Sequence, residues 1–111
     1  MYEILHYVTS ARSVPFQEWY LNLNDLHAKA RISARLDRIR LGNLGDAKSI
    51  GGGLCELRID YGPGYRIYFA IVGLRIVLLL CGGDKHRQSA DIALAMRYLQ
   101  DYRKRSEKHE K

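Results

Sequence analysis

Residues 54–83 constrain the fold more than any other part of the chain. Residues 54–61 and 65–72 alternate between apolar and polar side chains over part of their length, as half-buried strands do, and Gly62-Pro63-Gly64 provides a turn between them. Residues 75–81 are apolar in both phases, which is typical of a strand covered on both faces. The stretch therefore predicts a hairpin followed by a central strand.

The same hairpin predicts a polar surface. One face of the two-stranded ribbon must be dry, so the apolar residues of both strands are expected to share it. Arg58, Arg66 and Tyr68 are then expected together on the opposite face. Two guanidinium groups and a phenol would line one surface.

A strand and two helices are predicted before the hairpin. Residues 2–8 are rich in strand-forming side chains and indicate a first strand. Pro15 suits the first position of a helix whose apolar residues recur as far as Leu23. A second helix is predicted between Asp25, a suitable N-cap, and Gly42, a suitable C-terminal stop.

The remaining segments are predicted from their composition. Residues 42–53 are rich in glycine and are expected to form a loop. A charged turn, residues 84–87, follows the central strand, and a helix is predicted from Ala90 onward. Residues 103–111 carry many charges and no large apolar side chain, which predicts a flexible basic tail.

The second predicted helix carries a basic ridge beside its apolar stripe. Its members are His27, Arg31, Arg35 and Arg38. Two interpretations stay open for this ridge, a solvated face that keeps the helix soluble or a surface that contacts phosphate groups. The same two interpretations apply to the basic residues of the predicted tail.

The charge balance indicates an anionic partner. The chain has 111 residues, with 18 Lys and Arg against 12 Asp and Glu, a formal net charge of +6 and a pI of about 9.5. This length predicts one domain, residues 1–111. The longest apolar run, Ile76–Cys81, is far shorter than the about 20 residues that cross a bilayer, and no signal pattern begins the chain. A cytoplasmic protein without a membrane partner is expected.

Neither a metal nor another cofactor is expected. The histidines stand singly rather than at the spacing of metal ligands. The glycine-rich segment lacks the Lys-Ser/Thr pair and following helix of a nucleotide-binding phosphate loop. Cys55 and Cys81 lie in strand-like segments, which favours buried free thiols over a disulfide.

The residues left for chemistry are mostly cationic. No Ser-His-Asp or Cys-His set with credible spacing occurs, and no acidic pair suited to two-carboxylate catalysis is evident. RNA needs no protein nucleophile for cleavage, because its own 2′-OH attacks the adjacent phosphorus once a base removes the proton. Arg58 and Arg66 could clamp the phosphate, and Lys85 could stabilise the transition state. His86 is either an acid or base, or an exposed turn residue without a role.

Segments spread over nearly the whole chain resemble one protein family. These are residues 15–19 (PFQEW), the helix from Ala30 to Arg38, residues 56–68 (ELRIDYGPGYRIY) and residues 80–85 (LCGGDK). They are similar to the phage-derived Gp49-like, HigB-type addiction-module killer proteins of the RelE toxin superfamily. The last two segments are fairly specific in combination.

The resemblance implies a compact α+β, RelE-like domain. Two N-terminal helices would pack on a twisted, largely antiparallel sheet of about four strands, with a helix at the C-terminus. It also implies the toxin of a type II toxin-antitoxin system, a ribosome-dependent endoribonuclease that cuts mRNA. Its partners would be mRNA on the ribosome and a small antitoxin, often a helix-turn-helix protein, through which alone DNA is contacted.

The resemblance also implies the site residues. It places Arg58, Arg66 and Lys85 at the positions of the superfamily's catalytic cations. The cationic surface itself, and not the resemblance, adds the residues expected to bind the substrate, which are Lys48, Tyr68, His86 and Arg87. Some superfamily members carry a catalytic tyrosine or histidine near the C-terminus, where this chain has Tyr98 and Tyr102 in a predicted helix, so no general base is assigned.

Two other functions stay open. The basic face could belong to a non-catalytic module that binds nucleic acid or protein, because a net charge of +6 alone gives salt-sensitive binding to any polyanion. The chain could also be a decayed toxin that only binds its antitoxin.

Overall fold

Five strands form one mixed sheet in the computed structural model, which describes residues 1–109. The elements are β1 (Glu3–His6), α1 (Pro15–Leu21), α2 (Leu26–Arg40), β2 (Ala47–Gly51), β3 (Leu54–Ile59), β4 (Tyr65–Val72), β5 (Ile76–Asp84), a 3-10 helix (Lys85–Arg87) and α3 (Gln88–His109). The strand order is β1-β5-β4-β3-β2, with β1 parallel to β5 and the other neighbours antiparallel. The α+β class predicted from the sequence is confirmed.

The sheet is larger than the sequence predicts, because β2 lies within residues 42–53, the predicted loop. This strand pairs with β3, and Gly51, Gly52 and Gly53 lie at the connection with positive φ angles of 106°, 65° and 87°. No residue of β2 is buried, and Lys48, Ser49 and Gly51 are exposed, so its sequence lacks the apolar alternation that marks a strand. The order of the helical elements also differs from the prediction, because a 3-10 helix separates β5 from α3.

Helices cover the sheet on both faces. The apolar residues buried between the sheet and the first two helices include Phe16, Ala28, Ile32, Leu36, Ile39, Leu57, Ile59, Ile67, Phe69, Val77 and Leu79. Those buried beneath α3 include Leu54, Tyr68, Ala70, Leu78, Leu80, Cys81, Ala95 and Leu99. Because β5 supplies side chains to both cores, it is apolar in both phases, as predicted.

Hydrogen bonds connect the helix α3 to the residues that follow β1. The Tyr7 hydroxyl donates to Asp101 Oδ2 at 2.6 Å, and Arg105 Nη2 donates to the same oxygen and to the carbonyl of Val8, each at 2.6 Å. Residues 103–109, where the sequence predicts a flexible tail, belong to this helix, and residues 110–111 lie outside the described part of the chain. Within residues 1–109, no helix is long and apolar enough to span a membrane.

A pair of glycines lets helices approach β5 from both faces. A Cβ atom at Gly82 would overlap the indole ring of Trp19 in α1, and one at Gly83 would overlap the carboxylate of Asp91 in α3. The helices α1 and α3 therefore pack closely against opposite faces of the sheet just before the 3-10 helix.

Asp25 caps α2, as the sequence predicts. Its Oδ1 accepts hydrogen bonds from the backbone N–H groups of His27, at 2.9 Å, and Ala28, at 3.2 Å. The Tyr61 hydroxyl donates to the same oxygen at 3.4 Å. These hydrogen bonds, that of Ala28 first, lower the pKa of Asp25.

Replacing Asp25 with alanine should make stability less dependent on pH in the acid range. A carboxyl group whose pKa is lowered by folding stabilises the native state above its ordinary pKa of 3.8, and this contribution is lost as the pH falls through the lower folded value. The free energies of unfolding of wild type and Asp25→Ala should therefore approach each other as the pH falls below the folded-state pKa of Asp25. Urea denaturation from neutral to acid pH measures the difference, and a gap of constant size would contradict the assignment.

The Gly82→Ala substitution should destabilise the fold by about 1–3 kcal/mol, the usual cost of forcing extra volume into a packed core. The free energy of unfolding from chemical denaturation measures this effect. The control is the same substitution in a Trp19→Ala background, where the missing indole leaves room for the new methyl group. An equal cost in both backgrounds would show that contact with Trp19 is not the cause.

Candidate functional site

Two rows of side chains cross the sheet on the face covered by α3. Residues directly opposite each other in neighbouring antiparallel strands point to the same side of a sheet. The first row consists of Lys48, Glu56, Tyr68 and Cys81, from β2, β3, β4 and β5. The second row contains Arg58, Arg66 and Gly83. The register therefore confirms that Arg58, Arg66 and Tyr68 share one face.

Both arginines of the second row line a solvent-accessible groove of about 330 Å³. Its lining consists of Asp46, Arg58, Asp60, Gly62, Pro63, Gly64, Arg66 and Lys85. The three cations that the resemblance marks as catalytic thus lie around one open space, although they come from β3, β4 and the 3-10 helix. The connection between β3 and β4, together with Asp46 just before β2, forms the rest of the wall.

The turn at Gly64 places Lys85 beside Arg66. The backbone N–H of Lys85 donates to the carbonyl of Gly64 at 2.9 Å. Gly64 has a φ angle of 82°, and a Cβ atom there would stand 3.4 Å from Arg66 Nη1 and 3.6 Å from Lys85 Cβ. A glycine supplies this backbone conformation without strain and keeps this corner of the groove open.

A buried carboxylate, Glu56, lies beside the groove arginines and has no exposed surface. Its Oε1 is 3.4 Å from Nε of Arg58 and 3.7 Å from Nε of Arg66. Its Oε2 accepts a hydrogen bond of 2.7 Å from Nε2 of Gln88, the first residue of α3. The two groove arginines therefore share one buried anion.

Tyr68 cannot stack on a substrate in the groove, contrary to the sequence-based expectation, because it lies fully buried in the core beneath α3. Its hydroxyl has no hydrogen-bond partner within the described residues 1–109. Burial first, and then the nearby carboxylates of Glu56 and Asp91, raise the pKa of Tyr68 above its ordinary value, so the phenol is neutral. Burial likewise raises the pKa of its neighbour in the row, Cys81, to about 12.

The other predicted substrate-binding residues flank the groove and do not line it. Lys48 is exposed on β2, directly opposite Glu56. His86 and Arg87 are exposed in the 3-10 helix next to Lys85. Asp84 caps this short helix by accepting a hydrogen bond from the backbone N–H of His86 at 2.9 Å.

The basic ridge of α2 is partly used for structure. Arg35 Nη1 donates to the carbonyl of Arg58 at 2.7 Å, and its Nη2 donates to the carbonyl of Leu44 at 3.3 Å. The Arg31 guanidinium lies 4.5 Å from the centre of the Tyr61 ring. Arg35 therefore holds the strand that carries Arg58 in place. This structural role differs from both interpretations of the ridge, a solvated face and a surface that contacts phosphate groups.

The acidic members of the site are missed by sequence reasoning. Glu56 stands in an alternating segment, where it is expected on the polar face of a hairpin, and Asp46 and Asp60 lie at the ends of strands. One signal points to Glu56, since an acidic residue two positions before Arg58 on a strand shares its face. Its complete burial follows only from the position of α3.

The groove combines positive charge with proton-exchanging groups. Its three cations surround a space open to solvent, and the carboxylates of Asp46 and Asp60 border the same space. Cations arranged in this way stabilise charge that develops on a phosphoryl group, and a carboxylate can accept a proton. Within residues 1–109, no group of three or more His, Cys, Asp and Glu side chains is placed to hold a metal ion.

Comparison with known proteins gives one informative similarity. No family model matches the chain. A protein of Haemophilus influenzae that is described as uncharacterized is 48% identical over 83 residues. The match covers 75% of this chain and 84% of that protein, so it extends over most of both sequences.

The Tyr68→Phe variant should be at least as stable as the wild type. The substitution removes a buried hydroxyl that has no partner in the described chain, so no hydrogen bond is lost and the desolvation cost of the group disappears. The matched control is Tyr7→Phe, which loses the hydrogen bond to Asp101 and should cost about 0.5–1.5 kcal/mol. Chemical denaturation of both variants measures the difference, and a larger loss for Tyr68→Phe would show that its hydroxyl is bonded in solution.

Proposed function

This chain belongs to the same protein family as the Haemophilus influenzae protein, and we propose that it is a ribosome-dependent mRNA endoribonuclease that inhibits translation. It would be the toxin component of a type II toxin-antitoxin system. The observation that carries this proposal is the groove in which Arg58, Arg66 and Lys85 meet. Three separate elements supply these cations, and the space that they line can hold a phosphodiester whose oxygens accept charge-assisted hydrogen bonds from them.

The proposed reaction uses the nucleophile that RNA itself provides. A base removes the proton of the 2′-OH, the oxygen attacks the adjacent phosphorus, and the bond to the 5′-oxygen breaks. The departing 5′-oxygen takes a proton from water, to which the groove is open, so the products are a 2′,3′-cyclic phosphate and a 5′-hydroxyl. Arg58 and Arg66 would hold the phosphate oxygens, and Lys85 would stabilise the negative charge of the transition state. Either Asp46 or Asp60, both in the groove wall, would accept the 2′-OH proton.

The biological setting of the proposal rests on the resemblance of the sequence segments. That resemblance supports membership of the HigB-type killer proteins, with the ribosome as the place of action and the cytoplasm as the compartment. It also supports a small helix-turn-helix antitoxin as the partner, through which DNA would be contacted. The net charge of +6 is suited to an RNA-rich target.

A non-catalytic binding module is the alternative, and the charge distribution favours the enzyme. The three groove cations are accompanied by Asp46 and Asp60 in the lining and by the buried Glu56. A surface that only attracts polyanions gains affinity from uncompensated positive charge. Carboxylates in such a surface would weaken binding, whereas in a catalytic groove they can exchange protons and orient the cations.

The proposal is tested with two variants of the groove and one control. Arg66→Ala and Lys85→Ala each remove one groove cation, and each should lower the cleavage rate about 100- to 1000-fold, the usual cost of losing one stabiliser of transition-state charge. The control is Arg75→Ala, which removes the same charge from an exposed turn at the opposite end of the β4–β5 pair. This variant should cut at the wild-type rate.

The measurements are growth after induction in a bacterial host and mapping of mRNA 5′ ends with purified, programmed ribosomes. Circular dichroism verifies that each variant is folded, and Lys85→Ala is the safer variant because its side chain is exposed. Growth arrest and cuts that depend on Arg66 and Lys85 but not on Arg75 would support the proposal. A folded wild type that binds RNA without cutting would favour the binding module, and one that neither binds nor cuts would favour a decayed toxin.

A further inference from the structure

We propose that Glu56 is a positioning residue that sets the directions of Arg58 and Arg66 in the groove. The inference rests on the proposed function, because it assigns the two arginines to phosphate binding. It adds a residue that does not itself line the groove, since Glu56 is fully buried.

The contacts of Glu56 are made at the part of each arginine that determines its direction. Oε1 of Glu56 accepts a hydrogen bond from Nε of Arg58 at 3.4 Å and forms an ion pair with Arg66, whose Nε lies 3.7 Å away. Within residues 1–109, Nε of Arg66 has no hydrogen-bond partner, so its contact with Glu56 is electrostatic. The terminal Nη nitrogens, which make bidentate contacts with phosphate, are not used by this carboxylate. One of them, Arg66 Nη1, donates to the carbonyl of Tyr65 at 3.3 Å.

The burial of the two arginines agrees with this role. The Arg66 side chain is 12% exposed and that of Arg58 is 41% exposed, so both leave the protein interior beside Glu56 and end at the groove. A free arginine side chain loses much of its rotamer freedom on binding, which opposes the interaction. An anion fixed at Nε removes part of this freedom before the substrate arrives, which is the advantage of preorganisation.

The second oxygen of Glu56 connects the arginines to the segment that carries Lys85. Oε2 accepts the 2.7 Å hydrogen bond from Gln88, which follows the 3-10 helix of residues 85–87 directly. One side chain thus contacts β3, β4 and the start of α3, and each of these parts adjoins one of the three groove cations. An apolar residue of similar size could fill the same volume at lower desolvation cost, but it would make none of these contacts.

The test is Glu56→Gln, a substitution that keeps the shape of the side chain and removes its charge. The single-turnover cleavage rate should fall roughly 100-fold, because a misplaced binding group costs about that factor. Affinity for an uncleavable RNA, with 2′-deoxyribose at the scissile position, should change far less than the cleavage rate, because the loss of preorganisation weakens binding while the loss of a negative charge beneath the cations strengthens it. The matched control is Glu3→Gln, which removes an exposed carboxylate on β1 and should leave both quantities unchanged.

A second readout does not depend on activity. In the ¹H–¹⁵N NMR spectrum of the full chain, the Nε–H signals of Arg58 and Arg66 should be shifted from the position of free arginine, and Glu56→Gln should return them towards it. A merely structural role would lower RNA affinity, cleavage and stability together, and that result would overturn the inference. Unchanged cleavage in a folded variant, or unchanged Nε–H signals, would overturn it as well.

The two proposals fail in different ways. If the wild type cuts no RNA, the proposed function fails, and the NMR signals and RNA affinity still decide whether Glu56 orients the arginines. If Glu56→Gln does not fold, Gln88→Ala removes one contact of the same carboxylate at a partly exposed position. Gln88→Ala should then lower cleavage and shift the arginine signals, and no change in the signals would refute the positioning role.

Discussion

The arrangement of the groove depends on an ion cluster in which one buried carboxylate faces two guanidinium groups. Removing a carboxylate from water costs several kcal/mol even after relaxation of the surrounding protein, and only good geometry with further hydrogen bonds offsets this cost. Glu56 accepts hydrogen bonds from Arg58 and Gln88, and the guanidinium of Arg66 adds a charge whose Nε lies 3.7 Å from the same carboxylate. The same contacts hold together a hairpin and the start of a helix, so the electrostatics of this cluster also determine where the groove lies.

The packing around the cluster depends on small residues at one end of the sheet. Gly82 accommodates the indole of Trp19 on one face, and Gly83 accommodates Asp91 on the other. Gly64 turns the chain beside Lys85. Because these glycines let backbones approach closely, cations from three elements reach one groove in a chain of 111 residues, which has little interior to spare.

Local signals in the sequence predict much of the fold and part of the site. The alternation of β3 and β4 predicts that Arg58 and Arg66 share a face, and Asp25 predicts the beginning of α2. The burial of Glu56 and Tyr68 could not be predicted in this way, because it depends on where α3 lies on the sheet. Pattern reasoning also misses β2, since an edge strand with exposed side chains is specified by backbone pairing and not by apolar periodicity.

The strand β1 is joined to β5 and α3, which lie far along the chain, and this has a consequence for the order of folding. Within residues 1–109, β1 pairs only with β5, and the Tyr7–Asp101 hydrogen bond joins residues that are 94 positions apart. Contacts between distant parts of a chain form late, because the intervening loop must first be closed. The pairing of β1 therefore has to wait until β5 has been made, and Lys85, which follows β5 directly, reaches the groove no earlier. A nascent chain that ends before Ile76 contains both groove arginines, in β3 and β4, but lacks Lys85. The groove is therefore incomplete during translation until β5 and the residue that follows it have been made.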